Sequence, residues 1–152
     1  MMAEDEKQNR IEKGDLFFLM SSEDYESIGK TSVLNEDVNE IYLNSFCKGV
    51  RITDKGTFSP FMNYQLLSEK FRNSLRFEAR GFTRINLKID KVMSMPICLP
   101  PINEQKTIVS YLDFNLGKID KAITIINTQI AKLQTLRKSL INEVVTGERN
   151  IV

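Results

Sequence analysis

The apolar positions of this chain change rhythm once, after Pro100-Pro101. Beyond that pair, Leu112, Leu116, Ile119, Ile123, Ile126, Ile130, Leu133, Arg137, Leu140 and Val144 alternate four and three residues apart, and nine of the ten are apolar. This alternation marks the seam of a coiled coil. It predicts one amphipathic helix over residues 104–145, roughly 60 Å long at 1.5 Å per residue, stopped by Thr146-Gly147. A helix of that length cannot bury its stripe on a domain of about 100 residues, so much of it is expected to project and meet a partner helix. Leu136 and Ile141 widen the stripe, which favours bundle packing or an antiparallel pair over a thin parallel zipper. Arg137 interrupts the seam, either to set register or as a side chain that snorkels to solvent. Tyr111, Phe114 and Ile125 lie off the seam and suggest a second contact.

Before Pro100 the pattern is mixed. Gly14-Asp15 signals a turn, and Leu16-Phe17-Phe18-Leu19-Met20 reads as a buried strand. Ser21 to Ser27 reads as a polar loop, with Glu23, Asp24 and Glu26 solvated. Ile28–Leu34, Ile41–Leu43 and Val50–Thr53 are predicted as further strands, with a turn at Asp54-Lys55-Gly56. Ser59-Pro60 opens a helix, hydroxyl at the cap and proline at the first position. Phe61, Tyr64, Leu67, Phe71 and Leu75 give it a core face running to about Glu78. Gly81 ends it, Ile85-Asn86-Leu87 is extended, and Met95–Leu99 is predicted as a strand leading into the proline pair. Together these elements predict an α+β fold: a small mixed α/β domain followed by one long C-terminal coiled-coil helix.

Composition narrows the function classes. At 41% hydrophobic and 27% charged, the chain is typical of a soluble globular protein. No run approaches the roughly 20 apolar residues of a membrane span, and the acidic start, Met1 to Glu6, does not resemble a signal peptide. A cytoplasmic location is expected. Cys47 and Cys98 lie far apart in a chain without histidine, which excludes ordinary zinc spacings and reads as two core thiols in a reducing compartment.

The net charge of +1 conceals an asymmetry. Residues 1–40 carry 4 basic and 11 acidic groups, residues 41–101 carry 10 and 4, and residues 102–152 carry 7 and 5. A polyanion would be met by the middle segment. There Arg72, Arg76 and Arg80 recur four apart as one helical stripe, with Arg84 and Lys88 continuing past the turn. Arginine suits phosphates and guanine edges, Gly81 permits close backbone approach, and Thr83 can donate to a phosphate. The competing reading is a solvated helix face.

Signals for catalysis are weak. Without histidine no Ser-His-Asp triad is possible, and no Gly-rich phosphate loop of the usual forms is present. Asp90 with Glu104-Gln105-Lys106 mimics the spacing of a metal-dependent nuclease, but those groups open a helix where such sites use a strand. No metal and no cofactor is expected.

The run Leu99-Pro100-Pro101-Ile102-Asn103-Glu104-Gln105-Lys106 precedes a helix reading Ile108-Val109-Ser110-Tyr111-Leu112-Asp113 and Lys118-Ile119-Asp120, which closes on Arg137 to Gly147. This resembles the conserved region of the DNA-specificity subunits of type I restriction-modification enzymes. Upstream, Gly14 to Phe18 and Arg80 to Asn86 are similar to pieces of the family's target recognition domain. The resemblance covers residues 14–149 and is strongest from 96 onward. It divides the chain into a disordered lead-in (1–13), a partial target recognition domain (14–101), the coiled-coil helix (102–147) and a tail (148–152).

It implies a non-catalytic half-subunit with no cofactor. The implied partners are double-stranded DNA, the modification (methyltransferase) subunit and, through it, the restriction subunit, with no membrane contact. Such a half would pair through its helix as a homodimer or with another specificity fragment, the helices antiparallel. The alternative is a truncated, interaction-only protein that docks on the methyltransferase without reading DNA.

Overall fold

The computed structural model describes residues 11–39 and 42–151. The chain divides into two compact units, residues 1–109 and 110–152. The α+β expectation holds: small sheets and short helices precede one long helix.

In the first unit, strand β1 (Leu16–Leu19) is the centre of a three-stranded antiparallel sheet, flanked by β3 (Thr31–Val33) and β4 (Cys47–Val50). Leu16 faces Val33 on one side and Val50 on the other. Because side chains alternate along a strand, Leu16 and Phe18 are buried while Phe17 and Leu19 are half-buried on the opposite face. Strand β2 (Ser21–Ser22) pairs with β5 (Ile85–Asn86) as a second, two-stranded sheet. Helices α1 (Ser59–Leu67), α2 (Glu69–Glu78) and α3 (Ile89–Met93) contribute Met62, Leu66, Leu75 and Val92 to the core beneath, where they meet Ile28, Ile85 and Leu87.

The structure corrects several local expectations. The predicted single helix over 59–78 is two helices. Ser68 sits between them with φ −62° and ψ 149°, extended rather than helical. Its hydroxyl bonds back to the Gln65 carbonyl at 2.7 Å, and its own carbonyl accepts the first bond of α2 from Arg72 N–H. One serine thus ends one helix and starts the next. Within α1 itself the buried face is Phe61, Met62 and Leu66, which leaves Leu67, expected on the core face, 40% exposed. Phe58, not Ser59, is the N-cap of α1, and Ser59 makes no capping bond.

Strand positions also move. Ile28 to Lys30 form a turn in which Gly29 takes φ +66°, so only Thr31–Val33 pair. β4 lies over 47–50 rather than 50–53, because its register with β1 runs from Leu19↔Cys47 to Leu16↔Val50 and β1 begins at Leu16. Ile41 lies outside the described residues, and Tyr42 and Leu43 are irregular. Ser21 and Ser22, expected in a loop, are paired with β5.

Met95–Leu99 is not a strand. Pro96, Pro100 and Pro101 remove backbone donors a ladder would need. The Cys98 backbone is instead held by a side chain: Gln65 Nε2 donates to the Cys98 carbonyl at 2.7 Å, and Cys98 N–H donates to Gln65 Oε1 at 3.1 Å. The two cysteines are free, Cys47 half-buried and Cys98 exposed, so neither is a core thiol. Of the expected lead-in, Ile11 is buried, Glu12 lies 2.9 Å from Arg51, and Lys13 pairs with Asp37 at 3.4 Å.

Asp15, at the start of β1, is buried and forms two hydrogen bonds with Arg51, each 2.8 Å, and accepts the Glu12 N–H at 2.7 Å. The Arg51 bond is the largest influence holding its carboxyl below the ordinary value.

Helix α4 (Ile102–Val145) spans 44 residues. Its first two turns belong to the compact unit, where Gln105 and Val109 are buried. Gln105 is fully enclosed and uses its whole amide. Nε2 donates to the Gly56 carbonyl at 2.8 Å and the Pro100 carbonyl at 2.7 Å, while Oε1 accepts the Phe58 N–H at 2.8 Å. This gives the Pro-Pro-x-x-Glu-Gln motif a physical meaning: the glutamine ties the start of α4 to the start of α1.

In the second unit, residues 110–145 are the remainder of that helix, and its cap and a short irregular stretch follow to residue 151. The seam residues Leu116, Ile119, Ile123, Ile126, Ile130, Leu133 and Leu140 are exposed, as is Arg137, and Leu112 and Val144 are half-exposed. Gly147, with φ +78°, closes the helix as expected.

Candidate nucleic-acid interface

The basic residues of 72–88 fall into two groups. Arg72 is buried beneath the loop that follows β2. Its Nη1 donates to the Ile28 carbonyl and its Nη2 to the Glu26 carbonyl, both at 2.6 Å. Burial, then the nearby Arg76, lowers the Arg72 pKa from its ordinary value. Arg76 reaches the same loop, bonding the Tyr25 carbonyl at 3.1 Å and the Glu26 carboxylate at 2.6 Å. The acidic loop is therefore not merely solvated: Glu26 neutralises Arg76, and Asp24 accepts the Ser27 N–H. The periodicity placed these arginines on one stripe, but could not show that the stripe faces a chain segment rather than solvent.

The second group belongs to a hairpin. Arg80 and Asn86 exchange both backbone hydrogen bonds, at 2.9 and 2.8 Å, and close the loop Gly81-Phe82-Thr83-Arg84. Gly81 has φ +144°, and a Cβ there would lie 1.9 Å from the Arg84 carbonyl oxygen. The turn is therefore closed to every other residue type. The Tyr25 hydroxyl donates to the Gly81 carbonyl at 3.3 Å, and Asn86 Nδ2 donates to the Arg84 carbonyl at 3.2 Å. Leu87 N–H, bonded to the Met20 carbonyl at 2.9 Å, anchors the base to the core.

Four of the six expected site residues, Arg80, Thr83, Arg84 and Lys88, come together on or beside this hairpin, all exposed. Arg80 bonds the Phe77 carbonyl and, at 2.8 Å, the Ala79 carbonyl, placing a cation at the C-terminus of α2. The Arg84 guanidinium lies over the Phe46 ring, 4.6 Å from its centroid. Among the described residues neither Arg84 nor Lys88 forms an ion pair. Sequence reasoning missed Tyr25 and Phe46, which support the hairpin from other loops. Two aromatics in otherwise polar segments were the available signal.

No three His, Cys, Asp or Glu side chains converge on a metal position among the described residues. Asp90 lies in the first turn of α3 and Glu104 in the first turn of α4, so neither comes from a strand. No helix among the described residues is long and apolar enough to cross a membrane.

An exposed basic hairpin, tied to the core through Leu87 and Tyr25, thus stands beside the loop that Arg72 holds, and a long helix follows. The family model described as the type I restriction modification DNA specificity domain matches residues 2–135, a span that includes the hairpin and most of α4. The chain belongs to that family of DNA specificity domains.

Proposed function

We propose that the chain is a non-catalytic half-subunit that recognises double-stranded DNA within a type I restriction-modification enzyme. Arg80, Thr83, Arg84 and Lys88 contact DNA; Arg72 and Arg76 hold the neighbouring loop and contribute indirectly. The observation that carries this reading is the hairpin, closed by Gly81, that presents Arg84, with Lys88 beside it, both without an ion pair among the described residues. The helix-pairing positions are Leu112, Leu116, Ile119, Ile123, Ile126, Ile130, Leu133, Arg137, Leu140 and Val144. Their exposure in the single chain supports pairing, antiparallel, with a second copy or another specificity fragment. The pair would dock modification subunits and, through them, the restriction subunit.

Fluorescence anisotropy of a labelled duplex across a salt series tests the recognition step. Wild type should bind with a steep negative salt slope, and Arg84→Ala with Lys88→Ala should make it shallower. The absence of binding at low salt would refute it. One observation favours a second reading, an interaction-only protein: two of the four helix-and-turn arginines are spent inside the fold. That reading predicts capture of a modification subunit with no DNA affinity.

A further inference from the structure

The DNA-binding reading leaves one feature of the hairpin unused. Phe82 is 100% exposed, more than any other large apolar side chain described, and lies within the turn closed by Arg80 and Asn86. Its backbone is fixed on both sides: by the Gly81 conformation and the Tyr25 hydroxyl before it, and by the Arg80–Asn86 bridge around it. Arg80 and Arg84 stand two residues to either side. Each has its guanidinium against an aromatic ring, Phe77 at 5.9 Å and Phe46 at 4.6 Å.

The ring gains nothing from this position within the chain. An apolar protein surface is a poor match for it, because it would strip water from two flanking guanidinium groups without returning a counter-charge. A nucleic-acid duplex offers what both parts need, phosphates for the cations and a stacked apolar interior for the ring. Rigidity removes the ordering cost that a mobile loop would carry on insertion.

Resting on the DNA-binding reading, we infer that Phe82 is a wedge that enters between adjacent base pairs, with Arg80 and Arg84 bracketing it on phosphates. Apolar wedges of this kind unstack a step and kink the duplex. A step that is already weakly stacked is the cheapest to open. Phe82 would therefore select for deformable steps without making a hydrogen bond to any base.

The test uses the full chain and two labelled duplexes of one mixed sequence, one matched and one with a single central mismatch. A 2-aminopurine stands beside the central step in a second pair. Wild type is expected to prefer the mismatched duplex and to brighten the 2-aminopurine. Phe82→Ala should lose the preference, weaken binding about tenfold by removal of one stacking contact, and leave the salt slope unchanged, because no charge is removed. Phe82→Trp should retain both the preference and the fluorescence change, which excludes misfolding of the hairpin as the cause.

Equal behaviour of wild type and Phe82→Ala on both duplexes, with wild type bound, would overturn the wedge while leaving DNA recognition intact. Failure of wild type to bind either duplex would remove the DNA-binding reading and the wedge with it. Intact DNA binding by Phe82→Ala together with lost capture of a modification subunit would assign the ring to a protein contact and overturn the wedge.

Discussion

Residues 11–109 and residues 110–151 solve opposite problems with similar proportions of apolar side chain. In the first unit Leu16, Ile28, Leu75 and Ile85 are essentially inaccessible, and even polar groups such as Gln105, Asp15 and Arg72 are drawn inside with their hydrogen bonds satisfied. In the second, Ile119, Ile126 and Leu133 are exposed by half or more, on a helix whose backbone bonds are all local. A core is complete within one chain. A seam is complete only when another helix covers it. Substitutions should therefore report on folding in the first region and on association in the second.

The largest effect is expected in the core. Leu75→Ala removes a fully buried side chain and should cost about 4 kcal/mol, read as a lowered denaturant midpoint. Gln105→Leu comes next. It is close in volume but strands the Phe58 N–H and the Gly56 and Pro100 carbonyls, for about 3 kcal/mol. Ile123→Asp with Ile126→Asp should leave the melting of the first unit unchanged and, where the proposed pairing is with a second copy, weaken it about 100-fold, about 2.8 kcal/mol, in sedimentation equilibrium. Equal melting losses from the core and seam variants would erase the distinction between the two regions.

The Asp15–Arg51 pair gives the smallest effect on stability and a pH signature. Because the folded-state pKa of Asp15 is depressed, its contribution is full above the ordinary value of 3.8 and is lost as pH falls through the lowered folded value. Arg51 is half exposed, which screens the pair. Asp15→Asn should cost about 1 kcal/mol at neutral pH and should flatten the acid limb of the stability profile.

How much of this was legible in the sequence depended on the length of the pattern. The seam of α4 repeats over many turns, so its periodicity outweighs local noise, and the helix appears within two residues of its expected start. Leu16 to Leu19 was legible for a simpler reason, an apolar run after a Gly turn. The Ser68 break was not, because neither Pro nor Gly marks it; a side-chain bond to the Gln65 carbonyl does. Met95–Leu99 has the composition of a strand, but its partner is the Gln65 amide, a tertiary contact that no local pattern encodes. For the site, spacing found Arg80, Arg84 and Lys88 together with Arg72 and Arg76, and could not separate exposed from internally bonded arginines. That separation depends on the loop at 24–28, remote in sequence.

The division of the arginines is also the most direct point of attack. Arg72→Ala and Arg84→Ala remove the same charge from the same basic segment. The salt dependence of duplex binding, measured beside the melting temperature, distinguishes them. Arg84→Ala should lower the magnitude of the log–log salt slope by about 0.9 for one lost phosphate contact and lower melting by less than Arg72→Ala does, since it loses only the contact with the Phe46 ring. Arg72→Ala should lower the melting temperature, because it strands the Ile28 and Glu26 carbonyls, and leave the slope unchanged. A reduced slope with unaltered melting for Arg72→Ala, or an unaltered slope for Arg84→Ala, would contradict the account.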